Sequence, residues 1–191
     1  MVSLIKPDAN LLRVDGPVIE TARLILRPWR ASDIADNTRM LSDPETARFI
    51  TPDHQPITSE LKGWRNAAVI SGHWVLHGFG MFAVEEKSSA RYIGRVGPYY
   101  PPGWPGFEVG WGIAREHRGQ GYAVEAARAA IDFVFDNFTL DRIIHCIDPA
   151  NVASQAVARR LGADNEGPGR LEGDVVDIWV TTRQRWRRDP A

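Results

Sequence analysis

Residues 107–126 read Phe-Glu-Val-Gly-Trp-Gly-Ile-Ala-Arg-Glu-His-Arg-Gly-Gln-Gly-Tyr-Ala-Val-Glu-Ala. Phe107 to Ala114 is an apolar run with strand character, Arg115 to Gln120 is a short polar turn, and a helix opens near Gly121. The turn carries Gly119 and Gly121 among Arg115, His117 and Arg118. A turn at a helix start leaves several backbone N–H groups without acceptors, all pointing one way. The helix dipole adds positive charge there, and glycines let an anion come close. The stretch therefore reads as a phosphate cradle, with an ordinary glycine-rich strand-to-helix turn as the plain alternative.

Working outward, the helix from Gly121 carries Ala123, Ala127, Ala130, Ile131, Val134 and Phe138 at three-to-four spacing, a core-facing stripe that ends at Asn137 and Thr139. Arg142 to Ile147 is a short buried strand. A helix joins it to 107–114, so the two are expected to lie parallel. Asp148-Pro149-Ala150-Asn151 turns into a helix over 152–161, closed by Gly162. A turn over 167–173 and a last strand over 175–182 follow, with Arg183, Arg185, Arg187 and Arg188 expected in solvent.

Upstream, 98–106 is a loop stiffened by four prolines, which hold Tyr99, Tyr100 and Trp104 at low entropic cost above the strand that follows. Strands over 75–85 and 91–99 form a hairpin around Glu86 to Ala90, with Glu85 and Glu86 read as solvated surface. A helix over 59–70 shows Leu61, Trp64, Ala68 and Val69 on one face. Arg23 to Trp29 is a first strand, and Ser32-Asp33 caps a short helix through about Leu41 that Ser42-Asp43-Pro44 breaks. Residues 1–19 read as an N-terminal arm, 20–187 as one mixed α/β domain and 188–191 as a tail.

At 191 residues a single domain with a proper core is expected. A formal net charge of −1 supplies no basic field, so nucleic acid is not an expected partner. The lone Cys146 excludes an internal disulfide and suits a reducing compartment. No stretch has the length and apolarity of a membrane span or signal peptide, so a cytoplasmic protein is expected. His73 and His77 have the spacing of a helical metal pair, but Gly72 and Gly78 bracket them in what reads as a turn into a strand. With no third ligand nearby, no metal site is expected.

The cradle does not match the dinucleotide fingerprint, because Val124 stands where the third glycine belongs, and no nucleoside-triphosphate loop is present. Arg118-Gly119-Gln120-Gly121-Tyr122-Ala123 fits R-x-x-G-x-A, which resembles the acyl-CoA pyrophosphate loop of the GNAT superfamily of N-acyltransferases. Two distant stretches agree. Glu20-Thr21-Ala22-Arg23-Leu24-Ile25-Leu26-Arg27-Pro28-Trp29 with Leu41 to Ile50 resembles the opening of the RimJ/RimL-like branch. Asn151 to Gly162 resembles the superfamily's N-x-x-[S/A]…L-G helix.

The resemblance implies a central, mostly antiparallel sheet with one splayed parallel pair, flanked by about four helices. The pantetheine arm of acetyl-CoA would lie between strands 107–114 and 142–148. The backbone of Val109, Trp111, Gly112 and Ile113 would meet the pantetheine amides, and N–H groups of Arg118, Gly119, Gln120, Gly121, Tyr122 and Ala123 would hold the pyrophosphate. Asn151 would contact the cofactor arm as well as cap its helix.

Acyl transfer from a thioester to an amine needs a base, donors for the carbonyl oxygen and a route out for the thiolate. Glu108 resembles the family's "A-E-I-G-Y" glutamate and is the candidate base; an apolar, tryptophan-rich surrounding would raise its pKa. A backbone N–H of 109–111 is the candidate oxyanion donor. Ser154 is the candidate partner of the departing sulfur, both as catalytic group and as cofactor contact. The family's tyrosine four residues later is Ala158 here, which weakens an acid-catalysis role. Trp29, Tyr99, Tyr100, Trp104 and Glu108 are the candidate acceptor-binding residues, and Glu125 is expected to brace the fold.

The expected activity is acetyl transfer from acetyl-CoA, releasing CoA, to a protein N-terminal α-amine or a small-molecule amine, by a monomer or homodimer. The alternatives are a CoA-binding regulatory module with little turnover, an enzyme using another acyl-CoA, and a nucleotide-phosphate binder.

Overall fold

A computed structural model describes residues 15–186. Eight strands are β1 (Ile19–Glu20), β2 (Leu24–Arg27), β3 (Phe82–Glu86), β4 (Arg91–Tyr99), β5 (Glu108–Ile113), β6 (Arg142–Ile147), β7 (Asp164–Leu171) and β8 (Asp174–Thr182). They form one sheet in the order β1-β2-β3-β4-β5-β6-β8-β7. Every neighbouring pair is antiparallel except β5 and β6, which are parallel as the connecting helix requires. Among the described residues there are six helices, α1 (Asp33–Ser42), α2 (Pro44–Ile50), α3 (Glu60–His77), α4 (Tyr122–Asn137), α5 (Val152–Arg160) and the short α6 (Arg183–Trp186), two more than expected.

The main core lies between α4 and one sheet face. Ala126, Ala127, Ala130, Ile131 and Val134 of α4 meet Leu24, Leu26, Phe82, Val84, Ile93, Val96, Val109 and Ile143, all fully buried. On β4, side chains turned the other way meet the helices opposite: Tyr92 Oη donates to Asn37 Oδ1 of α1, and Arg95 Nη1 donates to Asn66 Oδ1 of α3. A buried ion triad locks that side. Arg27 donates to both oxygens of Asp33 at 2.8 and 2.9 Å, and its Nε donates to Glu85 Oε2 at 2.6 Å. Glu85 is therefore core rather than surface, and Asp33 rather than Ser32 takes the N–H of Arg30 at the start of α1.

Other elements depart from the sequence reading. Helix α3 runs to His77, over residues read as strand, and Gly78 closes it at φ 76° with its N–H on Trp74 O. The face read as core is outside: Leu61, Trp64 and Val69 are exposed while Gly63, Ala67, Ile70, His73 and Trp74 are buried. Close approach of α1 decides this, because a Cβ on Gly63 would sit 1.8 Å from Thr38 Oγ1. The break at Ser42-Asp43-Pro44 is real, but Asp43 at once caps α2 through the Thr46 N–H, with Pro44 in its first turn. Residues 167–171 extend β7, an edge strand that absorbs Gly167 and Pro168 through a register shift, and the turn is Glu172-Gly173.

The basic end is not free in solvent. Arg183 donates to the carbonyls of Phe135, Phe138 and Leu140, closing the C-terminus of α4, and Arg185 pairs with Asp164. Arg187, Arg188, the 188–191 tail and residues 1–14 of the arm lie outside the described residues. No helix among the described residues is long and apolar enough to cross a membrane.

Candidate active site

The strands β5 and β6 meet at one register pair, Glu108 with Ile144, where Ile144 N donates to Phe107 O at 2.9 Å. Beyond it, side chains replace the ladder. Glu108 Oε1 accepts the Cys146 N–H at 3.0 Å, and His145 Nδ1 donates to Val109 O at 2.7 Å. Burial pushes the His145 pKa down to about 4, so the ring is neutral, and with Nδ1 as donor its Nε2 accepts from Thr181 Oγ1. The roles of His145 and of the Cys146 N–H went unread in the sequence because nothing local marks a side chain that stands in for a ladder bond.

The gap this opens is lined by backbone. Ala114 N donates to Ile93 O on β4, so alternation turns Gly112 and Gly110 toward β4 and Val109, Trp111 and Ile113 toward β6. Val109 O is held by His145 and Ile113 O by Arg118 Nε, which leaves the main-chain groups of Trp111 as the open ones near the middle of the gap. Gly112 accordingly faces β4 rather than the gap.

The gap ends at the glycine turn. After a 3₁₀ turn over Arg115–His117, Gly119 and Gly121 take φ of 75° and 82°, with Gly121 opening α4. The N–H groups of Gly119, Gln120 and Gly121 have no protein acceptor among the described residues, and those of Tyr122 and Ala123 lie in a first helical turn. A Cβ at Gly119 would meet nothing within 4 Å, so the approach is clear. Arg118 differs: its own N–H bonds Arg115 O, and its guanidinium turns back to Ile113 O and Thr46 Oγ1. It braces the turn from behind. Glu125 braces the other flank, accepting from Thr21 Oγ1, Arg23 N and Arg23 Nε, while Arg23 Nη1 donates to Gln120 O.

Directly after β6, Asn151 Oδ1 accepts the Ser154 N–H at 3.0 Å and caps α5. Ser154 is half-buried in the first turn, and Ala158 is fully buried one turn on.

On the sheet face away from α4, Glu108 is 8% exposed. Burial pushes its carboxyl above the usual carboxylate range; donation from Trp104 Nε1 to Oε2 at 2.5 Å and from Cys146 N draws part of that back. Trp104 packs edge-on against Tyr99, the register partner of Glu108 on β4. The structure thus brings together Glu108, Tyr99 and Trp104. Trp29 lies apart, bonded to Met81 O and stacked on Tyr92 beside a hollow of about 180 Å³ between α1 and α3. Tyr100 turns toward Phe107, beside a second hollow of about 340 Å³ lined by His77, Phe79 and Trp104. His73 and His77 share helix α3, correcting the turn reading, with rings 4.5 Å apart. Both nitrogens of His73 are engaged, by Phe79 O and Tyr100 N. Among the described residues no group of three or more metal-ligating side chains gathers.

A splayed parallel pair, a glycine-turn cradle at its end and a buried carboxylate where the strands part define an acyl-CoA-type acyltransferase framework. The chain belongs to the acetyltransferase (GNAT) domain family, whose match spans residues 23–164. Similar proteins are N-acetyltransferases by name. The uncharacterized N-acetyltransferase YnaD of Bacillus subtilis is 35% identical over 155 residues, 78% of this chain and 84% of YnaD. A solved acetyltransferase from Agrobacterium tumefaciens superposes with a TM-score of 0.77 at 26% identity, over 92% of this chain and 99% of that one. RimL, the ribosomal L7/L12 α-N-protein acetyltransferase, solved with coenzyme A, shares the fold at TM-score 0.71 and 18% identity, over 87% and 98% of the two chains. The chain is a GNAT-family N-acetyltransferase whose structural neighbours include RimL and RimJ.

Proposed function

We propose that this protein transfers an acetyl group from acetyl-CoA to a primary amine by direct attack in a ternary complex, with Glu108 as the base. The observation that carries the reading is the position of Glu108: a nearly buried carboxyl at the one β5–β6 pair, where the gap begins and the acceptor face meets it. The residues present suit an acyl-CoA. The N–H groups of Gly119 to Ala123 suit a pyrophosphate, and the main-chain groups of Trp111 suit the pantetheine amides. Asn151 and Ser154, at the start of α5 directly after β6, are the candidate contacts for the cofactor arm. Bound there, acetyl-CoA supplies the acetyl group as a thioester.

Glu108 takes the proton of the incoming amine, directly or through water, and burial raises its pKa, the direction that makes a carboxylate a stronger base. Tyr99 and Trp104 wall off the acceptor amine, and Trp104 also aims the carboxylate. Ser154 is the candidate hydrogen-bond donor to the departing sulfur. A protein N-terminal α-amine is the favoured acceptor, since RimL, which shares the fold, is an α-N-protein acetyltransferase by name. Thermal unfolding with acetyl-CoA, CoA and ATP tests the donor site. A raised midpoint with both CoA species but not with ATP is expected, and no shift with either CoA species overturns the reading. Amine-dependent CoA release then separates an enzyme from a regulatory CoA-binding module.

A further inference from the structure

Among the described residues, Arg95 on the acceptor face has no carboxylate as counter-ion. Arg95 lies on β4, is 6% exposed, and faces Gly112 in the β4–β5 register. Its one protein partner among the described residues is the neutral Asn66 Oδ1, at 3.0 Å. Among the described residues no carboxylate pairs with it, in contrast with Arg27 a few residues away in the sheet, which holds two. Trp179 Nε1 is the sole fully sealed side-chain nitrogen or oxygen among the described residues that lacks a hydrogen bond, so the remaining guanidinium nitrogens of Arg95 are not fully sealed from solvent. Desolvation lowers the Arg95 pKa and nothing nearby restores it except the weak field of Tyr92 and Tyr99. An uncompensated, nearly buried charge is costly, and packed apolar side chains in its place are often as stable or more so. A ligand anion would supply the missing partner.

The surroundings say which ligand. Arg95 and Tyr99 are an even number of residues apart on β4, and Tyr99 is the register partner of Glu108, so the three groups share one face; Arg95 lowers the Tyr99 pKa while Glu172 and Glu108 raise it. Along β4, Arg95 stands four residues from Tyr99, the partner of Glu108, which is about 13 Å at 3.3 Å per residue. Taken between main-chain positions, that span is well beyond the two bonds that separate amine and carboxylate in a simple α-amino acid. An extended chain covers it within four residues.

Resting on the acetyl-transfer reading above, we infer that Arg95 selects the acceptor: an amine followed, several bonds along an extended chain, by a carboxylate. The amine lies at Glu108 and the carboxylate at the Arg95 guanidinium, which can accept it through two parallel N–H bonds. An acidic side chain within the first four residues of a peptide and a long aminocarboxylic acid offer the same chemistry.

The test compares acetyl-CoA consumption with matched tetrapeptides that carry Asp or Asn at position 2, 3 or 4, and with aminocarboxylic acids of increasing length beside their amides. For the native enzyme, kcat/KM for the acid over the amide is expected to be about ten- to a hundredfold at the best position, the worth of a charge-assisted pair. Arg95→Met should bring that ratio close to one, with no loss of thermal midpoint, and Arg95→Lys should restore part of it. A ratio near one in the native enzyme, or one that Arg95→Met leaves intact, overturns the inference while the acetyltransferase reading stands. An acid preference in the aminocarboxylic acids alone, abolished by Arg95→Met, supports it with a small molecule as the source. Consumption with none of the amines overturns both.

Discussion

The indole N–H of Trp104 donates to Glu108 Oε2 at 2.5 Å, so the proline-stiffened loop that precedes β5 ends as a donor to the carboxylate that opens it. That bond favours the ionised carboxyl against the burial that disfavours it. Trp104→Phe keeps the ring and removes the donor, so the Glu108 pKa rises further. The acidic limb of the kcat/KM profile against pH should then move about one pH unit to the alkaline side. An unmoved limb in Trp104→Phe would show that Glu108 does not set it.

Glu108→Gln tests the base itself. Turnover should fall by about 10² to 10⁴, while the thermal shift given by CoA stays within error of the native protein. The variant also has a stability signature. Because the folded-state pKa of Glu108 is raised, the stabilisation this group gives is complete below its unfolded pKa and is lost as pH rises through the folded one. Glutamine has no such loss, so the midpoint of Glu108→Gln should gain on the native protein as pH increases.

Asn151 caps α5 and is proposed to contact the cofactor arm, and two substitutions separate those roles. Asn151→Ala should cost about 1 kcal/mol, read as a midpoint lower by about 2–4 °C. Asn151→Asp keeps the cap but loses the amide donor, so its midpoint should match the native one while its CoA-induced shift shrinks. Equal shifts in the two proteins would leave Asn151 a cap alone. Ser154→Ala is expected to lower kcat only a fewfold, because a thiolate leaves tolerably without a donor.

Arg27→Met removes the buried cation between Asp33 and Glu85, leaving Glu85 the exposed Arg30 guanidinium at 3.0 Å and Asp33 the Arg30 N–H. Breaking a buried charge set from one side costs about 3–5 kcal/mol, so the urea midpoint should fall sharply with little change in slope. A shift under about 1 kcal/mol would mean that water reaches the triad.

His54 ties the loop after α2 to the β7–β8 hairpin through Asp174 at 2.9 Å, and its other nitrogen bonds Arg48 O. The Arg48 carbonyl and Asp174 raise its pKa. The stabilisation this gives is full below the unfolded pKa and lost as pH rises through the folded one. His54→Gln should therefore narrow the stability difference between mildly acidic and neutral solution, measured by thermal melts across that range.

Much of the fold was legible because its signals are local. The glycine turn, the alanine-rich stripe of α4 and the short apolar run of β6 each state their structure within a dozen residues, and β5 and β6 are parallel because a helix joins them. Misreadings fall where two local signals compete. Val75 and Leu76 have strand propensity but sit in the last turn of α3. Gly167 and Pro168 look like a turn but lie in an edge strand, which tolerates a missing donor. The apolar residues of α3 satisfy helical period on either face, and only the pressing of Thr38 against Gly63 selects the inner one.

The sequence by itself determined the order of elements, the strand–glycine turn–helix cradle and the carboxylate at the head of β5, because each depends on residues adjacent in the chain. Tertiary structure alone decided which groups act together. Cys146 and Trp104 converge on Glu108, His145 replaces a ladder bond, Arg118 turns behind the cradle instead of into it, and Arg95 meets no carboxylate among the described residues. Those outcomes depend on burial and on contacts between residues tens of positions apart, where desolvation and hydrogen-bond satisfaction select among side-chain directions that the local sequence leaves equally open.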